Sequence, residues 1–186
     1  MQEDLEPATP TDHSGVGING LSLIAIGISI AALLISVMEV LAVKDEQRAQ
    51  VWPYLEVSES YSADGFQLYL SNKGVGPARV RSAVMRLDGE VITDLNAAIL
   101  ETLGEADAFG YDLYRSSDPA PGVMSPDERI VLFGVPWEER TRKLTQAWSG
   151  RVGIEVCYCS VYDDCWMARL GNSDPDVVRE CSAPDA

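Results

Sequence analysis

The stretch LSLIAIGISIAALLISVMEVLAV, Leu21 to Val43, decides how the rest of the chain is read. It holds 23 residues with Glu39 as its only charge, which is longer and more apolar than the core helix of a small soluble domain and long enough to cross a bilayer. At ~1.5 Å per residue it reaches roughly 34 Å, against a hydrocarbon core of ~30 Å. A cleaved signal peptide opens on basic residues, carries a shorter apolar run and ends on small residues. Here a lead with acids and no Lys or Arg comes first, and Lys44-Asp45-Glu46-Gln47-Arg48 follows. The expectation is a single-pass membrane protein whose helix, residues 20–43, remains as an anchor.

Small residues in this span fall on one stripe. Ser22, Ala25, Ser29, Ala32 and Ser36 are spaced three, four, three and four apart, and Glu39 lies three residues further along. That spacing is a heptad seam, and small residues on one helix face let a second backbone approach closely. An ionisable residue near the membrane edge faces protein or water in preference to lipid. The seam therefore points to a membrane-protein partner or a second copy of the chain. The competing readings are that Ser and Ala merely reflect membrane-helix composition, and that Glu39 snorkels to the headgroups.

Working outward, residues 1–19 mix acids, Pro, Gly and Ser without periodicity, so they are expected to form a disordered acidic tail. His13, the one histidine in the chain, sits there. Residues 44–50 are expected to continue the helix as a juxtamembrane linker until Trp52-Pro53, because Pro disfavours helix at the residue before it. The remaining length suits one domain, residues 51–172, with a tail over 173–186 held by Cys181. Residues 51–186 carry 22 acidic against 12 basic side chains, a net charge of −10. Such a surface repels a phosphate backbone, so no nucleic-acid partner is expected.

From Val51 the period changes. Phe66, Leu68 and Leu70 alternate with polar neighbours as in a half-buried strand. Asn72-Lys73-Gly74-Val75-Gly76-Pro77 reads as the turn of a hairpin whose second strand runs from Ala78 to Leu87. Arg79 and Arg81 share the parity of Met85 and Leu87, which requires a bulge in that strand. Asp94 is placed to cap a helix with Leu95, Ala98, Ile99 and Leu103 on one stripe. A short strand is expected at 111–115 and a Pro-rich loop at 117–127. Arg129 to Val135 reads as the most central strand. Trp137, Thr141, Leu144 and Trp148 mark a second short helix that stops at Gly150. The last strong strand is expected from Arg151 to Val161, with Val152, Ile154, Val156 and Tyr158 on one face and Glu155, Cys157 and Cys159 on the other. The Tyr162-Asp163-Asp164 turn leads into Cys165-Trp166, and the closing segment reads as loose.

The four cysteines are the strongest local signal. Cys157 and Cys159 are two apart on one strand, so they point the same way some ~7 Å apart, too far to bond to each other. Each needs another partner, which leaves Cys159 with Cys165 and Cys157 with Cys181, or the swap. Zinc competes if all four are thiolates, although the spacing lacks paired C-x₂-C knuckles. No catalytic motif opens a helix, and without a histidine in the domain a Ser or Cys nucleophile lacks its usual base. The expectation is that the chain is not an enzyme and has no catalytic residues, no metal and no cofactor. Asp163-Asp164 reads as turn chemistry in preference to a Ca²⁺ site.

Two arguments oppose each other on orientation. The bases Lys44 and Arg48 follow the span, so the positive-inside rule puts the domain in the cytoplasm. An even number of cysteines in a small β domain indicates disulfides and an oxidising compartment, which favours the periplasmic or extracellular side.

The order WPYLEV, LYLSNKGVGPARV, RLDGEVI, SPDERIVLF and CYCSVYDDCW resembles an uncharacterised family of bacterial single-span membrane proteins with a membrane-proximal β domain. The resemblance covers about residues 21–170, and implies a cell inner-membrane location and a β-sandwich-like architecture but no activity. The Asn-Gly-Pro-Ala segment is also similar to immunoglobulin-like adhesion domains. The expected fold is mainly β, an immunoglobulin-like sandwich with two short helices on a single N-terminal transmembrane helix. The expected function is a non-enzymatic membrane-anchored interaction module, an accessory subunit of a membrane assembly. The alternative is a redox- or metal-responsive sensor using the cysteine cluster.

Overall fold

In the computed structural model, residues 18–105, 107, 109 and 113–182 are described. The expected acidic tail with His13 lies outside them, except that Ile18 and Asn19 already open the first helix. The chain divides into two compact units, Met1–Glu46 and Gln47–Ala186.

Helix α1 runs from Ile18 to Gln50, continuous through the expected linker. Residues from Gly20 onward are apolar enough to cross a membrane by length and composition. The large side chains are exposed, with Leu21 at 71% and Met38 at 72%. A helix apolar all round needs an apolar medium or other helices about it.

The second unit is mainly β. Among the described residues the strands are β1 (Leu55–Ser62), β2 (Gly65–Asn72), β3 (Ala78–Leu87), β4 (Glu90–Val91), β5 (Arg115–Ser116), β6 (Gly122–Met124), β7 (Arg129–Val135), β8 (Val152–Cys159), β9 (Cys165–Arg169) and β10 (Asp176–Val178). They form two antiparallel sheets. One is ordered β1-β2-β7-β5; the other is β10-β9-β8-β3-β4, with β6 also paired to β3. One apolar core draws on both: Leu55, Leu68, Leu70 and Phe133 from the first, Val80, Ile154, Val156 and Tyr158 from the second.

Helix α2 (Leu95–Leu103) starts where Asp94 Oδ1 accepts from the Ala97 N–H at 3.1 Å, and it buries Ile99. Helix α3 (Glu139–Trp148) buries Thr141, Leu144 and Trp148. The Thr141 hydroxyl accepts from the Glu138 N–H at 2.8 Å and donates to the Pro136 carbonyl. These contacts fix the helix start, where the first N–H groups have no intrahelical acceptor.

The bulge in β3 is present. Pairing with β8 jumps from Val80↔Tyr158 to Ser82↔Cys157 and leaves Arg81 as the extra residue. Ala78 and Val80 face the core before it; Ala83, Met85 and Leu87 pack on the core after it. One inserted residue reverses the parity of the strand, so both arginines stay outside.

Four local expectations are corrected. The Asn72–Pro77 turn does not close a hairpin, because β2 and β3 belong to different sheets. It carries the chain across from one sheet to the other. The Pro-rich loop contains β6, and the closing segment contains β10, paired to β9 through Val178↔Cys165. The strand expected at 111–115 is the two-residue β5 at Arg115–Ser116, with residues 111 and 112 outside those described.

Candidate functional site

The Asn72 turn is a buried hub. Asn72 is 1% exposed. Its Oδ1 accepts from the Tyr54 N–H at 3.2 Å and the Gly74 N–H at 3.0 Å. Its Nδ2 donates to the carbonyls of Gly76 at 2.9 Å, Met124 at 3.3 Å and Ser125 at 3.2 Å. Around it, Lys73 N–H bonds to the Tyr54 carbonyl and Gly76 N–H to the Trp52 carbonyl. A Cβ on Gly76 would lie 1.8 Å from the Val51 carbonyl oxygen, and one on Gly74 2.3 Å from the Tyr54 nitrogen. The glycines are there so that residues 51–54, arriving from α1, can lie against the turn. Sequence reasoning saw the motif and missed its purpose, which depends on a segment about 20 residues earlier.

The cysteines lie on the face of β8 turned away from the core. Cys159 and Cys165 are directly opposite in the β8–β9 ladder, with Sγ atoms at 2.09 Å and Cα atoms at 4.0 Å. Cys157 and Cys181 have Sγ atoms at 2.11 Å and Cα atoms at 5.6 Å. Of the two pairings left open by spacing, this is the first. Cys157, Cys159 and Cys165 are buried, whereas Cys181 is partly exposed. The Sγ atoms of Cys159, Cys165 and Cys181 all lie within 4.8 Å of one another. Bonded as disulfides they offer no thiolate to a metal.

Charged groups border this face. Asp163, at φ 63° in the β8–β9 turn, takes Arg79 at 2.8 Å and the bulged Arg81 at 4.0 Å. Its neighbour Asp164 receives the Ser160 N–H at its carbonyl. Further along the sheet, Glu155 sits between Arg169 at 2.9 Å and Arg86 at 3.3 Å. The hydrogen bond from Arg169, then that from Arg86, holds its carboxyl below the usual carboxylate range. Arg169 also pairs with Asp176 of β10. Ion pairs thus reinforce the docking of the tail.

The seam residues Ser22, Ala25, Ser29, Ala32, Ser36 and Glu39 are all on α1 and exposed. The Ser29 hydroxyl donates to the Ala25 carbonyl at 2.8 Å, within the helix. The seam and the cysteines belong to different units.

No protein-family model matches the chain, and no curated protein matches it.

Proposed function

We propose that this chain is a membrane-anchored, non-enzymatic interaction module, an accessory subunit joined to other membrane proteins or to a second copy of itself through the α1 seam. The observation that carries the reading is α1 itself. Its apolar side chains are exposed along its length, and they gather small residues on one stripe that suits close helix packing. On this reading residues 20–43 span the inner membrane of a bacterial cell. The domain is an immunoglobulin-like sandwich on the periplasmic side, a placement supported by the paired cysteines.

The test is purification in mild detergent with identification of what stays bound, alongside Ala25→Leu/Ala32→Leu. Loss of a stoichiometric companion or of self-association in the double variant supports the seam. Unchanged association in membranes would reduce it to composition.

A second reading, a redox-responsive sensor, draws on one specific observation, the contact between the two disulfides.

A further inference from the structure

The two bridges touch. Cys159 Sγ lies 3.7 Å from Cys181 Sγ, its neighbour in the other bridge. A disulfide bond is ~2.05 Å long, so these sulfurs need to close by roughly 1.7 Å to reach bonding distance. Exchange proceeds by attack of a thiolate on one sulfur of a disulfide and depends on access to that sulfur. Cys157, Cys159 and Cys165 are 1%, 3% and 6% exposed. Cys181 is the accessible member of the four.

We propose that Cys181 is a thiol–disulfide exchange site that takes a dithiol as its reaction partner and relays the exchange to the Cys159–Cys165 bridge. The inference rests on the redox reading and deepens it by naming the order of events; it is independent of α1 crossing a membrane. One thiolate of the dithiol attacks Cys181 Sγ, the Cys157–Cys181 bond breaks, and the electron pair leaves on Cys157, which is protonated. The second thiol of the dithiol attacks its partner sulfur in the mixed disulfide. Cys181 is released as thiolate, and the dithiol departs as a cyclic disulfide, oxidised by two electrons. Cys181 then attacks Cys159, forming Cys159–Cys181 and expelling Cys165, which takes a proton. The protein has gained two thiols, at Cys157 and Cys165, and keeps one bridge. The tail stays tied, two residues further along β8, while the small hairpin loop is opened.

The full-length chain in detergent, exposed to dithiothreitol below one equivalent, is acid-quenched, alkylated after denaturation and mapped by mass spectrometry. The first thiols to appear should be Cys157 and Cys165 together. Thiols at Cys157 and Cys181 would overturn the relay and leave the redox reading intact. Thiols at Cys159 and Cys165 would show direct reduction of the buried bridge and overturn it too. No thiols at all would sink both. In Cys157→Ser, which leaves one thiol beside an intact bridge, label should divide between Cys181 and Cys165, within about tenfold of each other, because the two isomers bridge neighbouring sites. Label on Cys181 alone would overturn the proposal. In Cys181→Ser the label should remain on Cys157, and its spread to Cys159 or Cys165 would show unspecific shuffling and overturn the role of Cys181.

Discussion

The hydroxyl of Tyr158 accepts a hydrogen bond from the backbone N–H of Leu55 at 3.2 Å, joining β8 of one sheet to β1 of the other through the core. Both residues are at most 1% exposed, and the Tyr158 ring stacks on Trp166, its cross-strand neighbour, at 5.6 Å. Burial pushes the phenol pKa up to about 12.

Tyr158→Phe keeps the ring and strands the Leu55 N–H, so it should cost about 1–2 kcal/mol in chemical denaturation at neutral pH. The sign of the pH dependence follows from the raised value. The folded state holds the phenolic proton more tightly than the unfolded one, so this contribution is complete below pH ~10 and is lost as pH rises through ~12. Between pH 9 and pH 11 the wild type should lose about 1.4 kcal/mol relative to Tyr158→Phe. An unchanged difference between the two proteins would place the hydroxyl in water.

Gly76→Ala should be among the most damaging single substitutions, because its Cβ would meet the Val51 backbone, which cannot give way as a flexible side chain does. A loss above about 4 kcal/mol, or failure to accumulate folded protein, is expected. Asn72→Ala leaves the Tyr54 and Gly74 N–H groups without their acceptor and should cost about 2–5 kcal/mol. Asn72→Asp keeps that acceptor and loses the donor to three carbonyls. A mild effect of either Asn72 change in urea titrations would mean that the Asn72 side chain does not hold the turn together.

The two bridges should differ in weight. Closing 24 residues between Cys157 and Cys181 restricts the unfolded chain by roughly 3.5 kcal/mol on the loop-entropy model, and closing 6 between Cys159 and Cys165 by roughly 2 kcal/mol. Paired Ser variants, each removing one whole bridge and leaving no thiol to exchange, allow calorimetry to rank them. The reverse order would show that the tail contributes little to the folded domain.

Glu155→Gln tests the Arg169–Glu155–Arg86 row. The folded carboxyl is held low, so its contribution is present above the ordinary carboxylate pKa and disappears as pH falls through the folded value. The group is about one-third exposed, so screening limits the effect to ~1 kcal/mol or less. The variant should differ from wild type at pH 7 in low salt and match it at pH 2. A difference that persists at pH 2 would point to packing instead of charge.

The elements visible in the sequence are those whose signal is local. The apolar run of α1 needs no partner to be recognised, and Asp94 and the Leu95–Leu103 stripe carry both start and face of α2. The bulge at Arg81 was legible because Arg79 and Arg81 share the parity of Met85 and Leu87, which without a bulge would turn charge toward the core. The destination of β3 was not, because Asn-x-Gly-x-Gly-Pro resembles a hairpin turn until Val51 is known to lie against it. Strands of two or three residues such as β5, β6 and β10 have no period to detect. The cysteine partners stayed open since Cys157 and Cys159 share a face, and only the path of the tail along β9 separates the two pairings. Tyr158 looked like any inward aromatic; its hydroxyl partner lies 103 positions away.

The grip on residues 51–54 has a mechanical meaning. Among the described residues β1 is an edge strand, joined in its sheet to β2 alone, and tension arriving from Gln50 would pull on its leading end. An antiparallel edge loaded there unzips one rung at a time, each rung failing by itself. With the Tyr54 N–H and carbonyl tied to Asn72 and Lys73, the Trp52 carbonyl tied to Gly76, and Asn72 tied in turn to Met124 and Ser125, the first step must break several bonds together. A pull on the first residues of the domain is thereby met by both sheets before β1 begins to peel.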